Sequence, residues 1–118
     1  MPIREHEFGR IGLFAELPGD VLRKLSEAMR REQVAAGAEV VREGEDGDRF
    51  YVVLSGMLTV SQESQGERRM LKPGDYFGEV ALTMAVPRTA SVRAVTPAVV
   101  ASCDRATFDE YIRPLFSD

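Results

Sequence analysis

Two charged side chains stand inside a stretch of small and apolar residues in the second half of the chain. The stretch reads FGEVALTMAVPRTASV, from Phe77 to Val92, and it holds Glu79 and Arg88. Burying an unpaired charge costs several kcal/mol, so buried charges are found with a partner. One interpretation is a structural ion pair between the two side chains. The other is a polar ligand that carries both a negative charge and hydroxyl groups.

The residues around this pair form the pattern of an anion site. GEVALTMA predicts one or two helical turns, whose first backbone N–H groups lack a partner within the helix and carry a partial positive charge. Gly78 and Ala81 are small enough for a ligand to approach their backbone. Pro87 ends the helical turn, and Arg88 opens the alternating strand RTASVRAV, from which its guanidinium can donate to a phosphate. Because a carboxylate repels a phosphate, Glu79 would accept from a hydroxyl, and a sugar phosphate satisfies both residues.

The sequence has few residues for a metal site or for nucleophilic catalysis. His6 is the only histidine and Cys103 the only cysteine, so the sequence has no metal-ligand spacing and no Ser–His or Cys–His arrangement. Cys103 lies in the apolar run AVVASCD and is predicted to be a small buried residue. A lone cysteine forms no internal disulfide, which is typical of the reducing cytoplasm. We therefore expect no metal, no cofactor, no catalysis and a cytoplasmic location.

The composition is that of a globular domain. The chain has 118 residues, 44% hydrophobic and 29% charged, which suits one domain over residues 1–118. A formal net charge of −4 argues against nucleic acid as a partner. No apolar run approaches the roughly 20 residues that span a bilayer, and the charged N-terminus MPIREHEF is no signal peptide.

Helices are predicted at both ends of the chain. PGDVLRKLSEAMRRE, residues 18–32, places apolar side chains on one face of an amphipathic helix. Residues 3–14 predict a shorter helix, weakened by glycines, so that residues 1–32 form an N-terminal helical segment. Asp104 is a suitable N-cap for a C-terminal helix over residues 104–118, whose shared apolar face holds Phe108, Tyr111 and Ile112.

Strands are predicted between the helices. Over residues 33–103, short apolar stretches alternate with turn residues, as in an antiparallel sandwich or barrel of six to eight strands. QESQGER predicts a hairpin loop, and Gly56 is expected to break or bend one long strand.

The stretch 77–92 resembles the phosphate-binding cassette of cyclic nucleotide-binding domains, the family of protein kinase A regulatory subunits, cyclic-nucleotide-gated channels and the catabolite activator protein. Every fixed position of the cassette pattern, F-G-E-x-A-L, a spacer and P-R-x-A-x-V, is filled. Upstream, EGEDGDRFYVVLSGML resembles the family's glycine-marked hairpin, with turn glycines at 44, 47, 56 and 74. GLFAELPGDVLRKLSEAM resembles the helix that opens many such domains, so the resemblance covers nearly the whole chain.

The resemblance implies a fold and a function. The fold is mainly β with flanking helices (α+β), an eight-stranded antiparallel β-roll or jelly roll with N-terminal helices, a short cassette helix and a C-terminal helix. The function is binding of a 3′,5′-cyclic nucleotide, cAMP or cGMP, as a regulatory input that the C-terminal helix relays.

It also implies roles for individual residues. Arg88 and the backbone amide of Ala81 would hold the cyclic phosphate, while Glu79 and the backbone of Gly78 would bind the ribose 2′-hydroxyl. A hydroxyl at Thr89 is associated with acceptance of guanine. The other cassette residues expected at the ligand are Val80, Pro87 and Ala90, and those expected at the base are Val60, Gln62, Arg69 and Leu71.

The end of the chain departs from the family pattern. The family has further helices after the roll, one of which caps the base, whereas this sequence ends at Asp118. The cap is expected on a partner or a missing segment, or from Tyr111, Leu115 or Phe116, or the pocket stays open. The effector is expected outside this chain, in another domain or a partner protein, and a homodimer is one option. Two other functions stay open, namely a non-binding interaction module with the same fold and a small-barrel enzyme acting on a sugar or phosphate ester.

Overall fold

A computed structural model describes residues 11–116, apart from the side chain of Arg68. Its eight strands form two four-stranded sheets, in the orders β1-β8-β3-β6 and β2-β7-β4-β5. All the pairings are antiparallel, which confirms the predicted eight-stranded roll. The strands are β1 Arg30–Val34, β2 Glu39–Val41, β3 Arg49–Ser55, β4 Leu58–Gln62, β5 Gly66–Leu71, β6 Tyr76–Phe77, β7 Ser91–Ala94 and β8 Ala98–Asp104.

The N-terminal helix is shorter than its sequence pattern predicts. Helix α1 spans Gly19–Ala28, and Met29 already has an extended backbone. The prediction of helix through Glu32 is wrong because β1 pairs with β8 from Arg30 to Val34, and this pairing outweighs the helical pattern. Of the shorter helix predicted over residues 3–14, only a 3₁₀ turn at Gly12–Phe14 falls within the described residues, and His6 lies outside them.

The predicted hairpin loop and the turns at Gly44, Gly56 and Gly74 are confirmed, whereas Gly47 lies outside any turn. The hairpin loop lies between Gln62 and Gly66, where β4 ends and β5 begins. Gly56 separates β3 from β4 with a positive φ of 84°. A Cβ at this position would collide with the Pro97 carbonyl, so both the conformation and the space require glycine.

The C-terminal helix (105–116) changes its winding along its length. It is α-helical over Arg105–Thr107, π-helical over Phe108–Ile112 and 3₁₀ over Arg113–Phe116. Asp104 caps it as predicted, since a carboxylate oxygen accepts the Thr107 N–H at 2.9 Å. This hydrogen bond, together with one from the Thr107 side chain, lowers the pKa of Asp104.

The strand β3 divides the core into two parts. Phe50 and Val52 face the outer core, between the roll and the helices. The predicted apolar face of the C-terminal helix packs there, with Phe108 and Ile112 buried and Tyr111 partly buried. Tyr51 and Val53 face the inner core, inside the roll. Cys103 is buried in the outer core, as its sequence context predicts, and burial raises the pKa of its thiol to about 12. Among residues 11–116, no helix combines the length and the apolar character needed to cross a membrane.

Candidate functional site

The short helix α2, Glu79–Met84, begins and ends with left-handed backbone. Gly78 precedes it with φ 95°, and a Cβ there would lie 2.9 Å from both the Arg49 carbonyl oxygen and Arg88 Nη1. Ala85 follows it with φ 54°, an uncommon conformation for a residue other than glycine. The helical turns predicted from GEVALTMA are confirmed, and their start lies beside the Arg88 guanidinium.

Arg88 is buried, with 7% of its surface exposed, and its guanidinium is held by carbonyl groups. Nη1 donates to Gly78 at 3.1 Å and Nη2 donates to the backbone of Arg49 at 2.9 Å. No ion pair within 4.0 Å joins Arg88 to Glu79 in the described chain. The first interpretation of the sequence, a structural ion pair between these two side chains, is therefore wrong. A guanidinium has five N–H donors, and these two carbonyls take two of them.

The backbone of Arg88 is fixed as firmly as its side chain. Its N–H donates to the Glu45 carbonyl and its own carbonyl accepts from the Gly44 N–H, both at 2.8 Å. Gly47 is buried against the guanidinium, and a Cβ there would collide with Arg88 Nε. Burial in this cradle lowers the pKa of Arg88, although the group stays charged at any physiological pH.

Glu79 stands in the first turn of α2. Partial burial raises the pKa of its carboxyl group, while nearby backbone N–H groups and the guanidiniums of Arg69 and Arg88 lower it in part. The carboxylate is therefore close enough to Arg88 to feel its charge and remains available for another partner. An arginine with unused donors and a carboxylate with unused acceptors can bind one ligand that bears an anion and a hydroxyl group.

Two adjoining cavities lie between these residues and the second sheet. The first, about 200 Å³, is lined by Val41, Val60, Arg69, Phe77, Gly78, Glu79, Val80, Ala81, Arg88, Thr89, Ala90 and Val92. The second, about 320 Å³, is lined by Val60, Gln62, Arg69, Thr89 and Ala90. Because four residues are common to both, the two cavities form one elongated site, which has Glu79 and Arg88 at one end.

Most residues singled out from the sequence line this site, but two do not. Leu71 is fully buried in the inner core, where it pairs with Leu58, whereas Arg69 two residues earlier on the same face lines both cavities. Pro87 lines neither cavity and is exposed. The C-terminal side chains considered as caps, Tyr111, Leu115 and Phe116, pack against the outer core and line neither cavity.

The sequence pattern did not single out the residues that hold Arg88. Gly47 was expected only as a turn glycine, while Arg49 and Tyr51 had no predicted role. The alternation of β3 was the available signal, because it places Arg49, Tyr51 and Val53 on one face of the strand. The described residues contain no group of three or more His, Cys, Asp or Glu side chains that could hold a metal ion.

The fold and the site together define a ligand-binding module, and comparison with known proteins identifies its family. Residues 31–114 match the family model of the cyclic nucleotide-binding domain, and the chain belongs to this family. It is 36% identical over 104 residues to a cAMP-dependent protein kinase regulatory subunit from Debaryomyces hansenii, covering 88% of this chain and 23% of the relative. It is 36% identical over 114 residues to the cGMP-dependent protein kinase egl-4 from Caenorhabditis elegans, covering 92% of this chain and 15% of the relative.

A solved structure shows the same fold. The regulatory domain of Toxoplasma gondii PKA with cAMP superposes with a TM-score of 0.89 at 30% identity, covering 94% of this chain and 44% of that one. The chain thus spans less than half the length of each of these three proteins.

Proposed function

We propose that this domain binds a 3′,5′-cyclic nucleotide, cAMP or cGMP, in the cavity between α2 and the second sheet, and that binding is a regulatory input. The observation that carries the proposal is the state of Arg88. This buried guanidinium is held by two carbonyl groups instead of a carboxylate, so its positive charge remains available to an anion. The family and the resemblance to kinase regulatory domains support the same ligand.

The cyclic phosphate and the ribose would occupy the end of the site near α2. Arg88 would donate to the phosphate, helped by the backbone N–H of Ala81. Glu79 and the backbone of Gly78 would accept from the ribose 2′-hydroxyl, which explains a half-buried carboxylate without an ion-pair partner. Val80 and Ala81 line this end of the first cavity.

The base would occupy the second cavity. Val60 and Ala90 offer apolar contact, and Arg69 offers N–H donors, for which O6 and N7 of guanine are acceptors. The Gln62 side chain donates to the Thr89 carbonyl at 3.0 Å, which ties β4 to the end of the cassette. Thr89 lines the same cavity, and guanine and adenine are both candidate bases.

A relay to the C-terminal helix is part of the proposal. The Leu82 carbonyl in α2 accepts from Arg113 Nη2 at 2.8 Å and from Arg105 Nη1 at 3.4 Å. Arg105 also donates to the carbonyl of Gly47 at 3.3 Å, and Gly47 packs against the Arg88 guanidinium. A ligand that pulls α2 or Arg88 would therefore displace groups that hold the C-terminal helix, and its π-helical turn is a feature found frequently at functional sites.

The output would lie outside the described domain. The two relatives are a kinase regulatory subunit and a cGMP-dependent protein kinase, and this chain covers only a fraction of each, so we propose that an effector domain or partner protein responds to the ligand. A non-catalytic role and a cytoplasmic location belong to the same proposal, supported by the likeness to kinase regulatory subunits.

One observation favours a second candidate, an interaction module that binds no nucleotide. Three apolar side chains around the cassette helix are exposed, and the most exposed is Met84 at 67%; the other two are Val80 and Val86. Such a surface suits a protein contact.

Calorimetric titration of the chain with cAMP, cGMP and 5′-AMP separates the two candidates. We expect saturable binding of at least one cyclic nucleotide and much weaker binding of 5′-AMP, whose dianionic phosphate does not match a single guanidinium beside a carboxylate. If none of the three nucleotides gives a heat signal or changes the NMR spectrum of the protein, the interaction module is favoured.

A further inference from the structure

Tyr51 is an aromatic residue that contacts Arg88 but lines neither of the two site cavities. It is only 8% exposed and lies at the middle of the first sheet, paired with Ser102 on β8 and with Phe77 on β6. Its ring stacks on the Phe77 ring, with centroids 4.8 Å apart and planes 4° from parallel. This stacking fixes the ring in one orientation.

The Arg88 guanidinium lies over the same ring, with Cζ 5.9 Å from the ring centroid. The two carbonyls that hold the guanidinium come from the same strand pair as the ring. Arg49 precedes Tyr51 by two residues on β3, and Gly78 directly follows Phe77 at the end of β6. Gly47 packs against the guanidinium as well. One rigid unit of paired backbone therefore presents both hydrogen-bond acceptors and an aromatic face to Arg88.

An aromatic face can stabilise the charge of Arg88 without occupying its N–H donors, whereas a carboxylate cannot. A buried guanidinium needs compensation for lost hydration, and the negative face of an aromatic ring provides it within about 6 Å. A carboxylate would provide more, but it would take up the N–H donors in a bidentate pair. The ring stabilises the charge while it leaves those donors for a phosphate.

We propose that Tyr51 is a positioning residue for phosphate binding, whose ring holds the charged Arg88 side chain in place and keeps its remaining donors directed at the cavity. This inference rests on the proposed function, because the phosphate is the ligand group that Arg88 would meet. It assigns to the ring of Tyr51, and not to its hydroxyl, a contribution to nucleotide affinity.

Four variants measured by calorimetry, or by NMR titration where binding is weak, test the proposal with cAMP and cGMP. Tyr51→Phe keeps the ring and should bind within about twofold of the wild type, whereas Tyr51→Leu should bind about 5- to 30-fold more weakly. In an Arg88→Gln background, which has no cation, the same Tyr51→Leu change should cost less than twofold. An equal loss in both backgrounds would show that Tyr51 only packs, and would overturn the proposal.

Fluorinated rings provide the test if Tyr51→Leu fails to fold. Phenylalanine, difluorophenylalanine and pentafluorophenylalanine at position 51 keep the shape of the ring while they progressively remove its negative face. Affinity should fall in that order, although stacking on Phe77 and thermal stability are retained. Equal affinities across the series would refute a role for the ring's electrons.

A ligand-free measurement separates this proposal from the proposed function. NMR relaxation of the Arg88 Nε–H reports the order of the guanidinium in the unliganded protein. We expect a rigid group in the wild type and in Tyr51→Phe, and a mobile one in Tyr51→Leu, with an order parameter below about 0.6. A wild type that binds no cyclic nucleotide would refute the function alone, whereas a guanidinium equally rigid in Tyr51→Leu would refute the positioning role alone.

Discussion

Arg88 is the residue on which the proposed function depends most. Truncation of one partner of a buried, hydrogen-bonded charge pair costs about 2–5 kcal/mol. We therefore expect Arg88→Ala to weaken cyclic nucleotide binding at least about 30-fold in a titration. The matched control is Arg93→Ala on β7, which removes an exposed arginine that does not line the cavity and should leave the dissociation constant unchanged. Unaltered affinity in a folded Arg88→Ala protein would exclude Arg88 from the ligand site.

Glu79 is expected to strengthen ligand binding and to lower the stability of the folded domain. The charged carboxylate is partly buried, and desolvation raises its pKa above the ordinary value of 4.5. Because the folded-state pKa is raised, the contribution of this group to folding is fully present below its unfolded pKa and is lost as the pH rises through the folded pKa. Glu79→Gln should therefore be more stable than the wild type at pH 7, and the difference should vanish as the pH falls below 4.5.

The same substitution should weaken ligand binding. Glu79→Gln removes a charge-assisted hydrogen bond to the ribose hydroxyl but keeps an acceptor, so the loss should be about tenfold. Thermal melts from pH 4 to 7 and titrations with a cyclic nucleotide and its 2′-deoxy analogue check both parts. If the 2′-deoxy analogue loses as much affinity as the parent, Glu79 supports the cassette backbone and not the ribose.

The sequence predicted the two charged residues but not the groups around them. Glu79 and Arg88 stand out because charges are rare in an apolar stretch, and this local signal needs no knowledge of the fold. Gly47 and Tyr51 lie about 40 positions away along the chain and meet Arg88 only through sheet pairing. Leu71 was expected at the base from its position in the family resemblance, but it pairs with Leu58 and is buried in the inner core.

At the scale of elements, local signals located most helices and turns, and long-range pairing set their ends. Asp104 marked the start of the C-terminal helix because a cap acts on adjacent residues. The end of α1 was misplaced because it depends on β8, about 70 residues away, to which β1 pairs. The winding change in the C-terminal helix was not predicted, although Pro114, which has no backbone N–H to donate, lies in its last segment.

Arg113 joins the cassette helix to the C-terminal helix and is the residue to change if the relay is to be tested. It donates to the Leu82 carbonyl, forms a 2.8 Å ion pair with Asp109 and lies over the Phe108 ring. We expect the cyclic nucleotide to slow amide hydrogen exchange over residues 105–116 in the wild type. Arg113→Ala should lose most of this effect, about 1 kcal/mol of coupling, while nucleotide affinity changes less than about threefold.

Arg42→Ala is the control for that measurement. Arg42 follows β2, forms an exposed ion pair with Glu39 and lines neither cavity, so its removal should leave the ligand-induced protection intact. An Arg113→Ala protein with full ligand-induced protection of the C-terminal helix would show that the relay does not pass through this contact.

At the scale of the whole molecule, the site joins the two sheets, so ligand binding should stabilise the entire domain. Phe77, Gly78 and Arg49 belong to segments of the first sheet, while Val60, Arg69 and Val92 belong to the second. A ligand that binds only the folded state adds about 2.7 kcal/mol of stability at 100 times its dissociation constant. For a domain of this size the melting temperature should rise by about 10 °C. Scanning calorimetry with and without cyclic nucleotide measures the shift. In Arg88→Ala, whose affinity should be at least about 30-fold lower, the shift at the same concentration should fall to about a third or less. A shift of undiminished size in Arg88→Ala would place the ligand at another site, whereas a wild type without a shift at high nucleotide concentration would show that the folded domain does not bind the nucleotide.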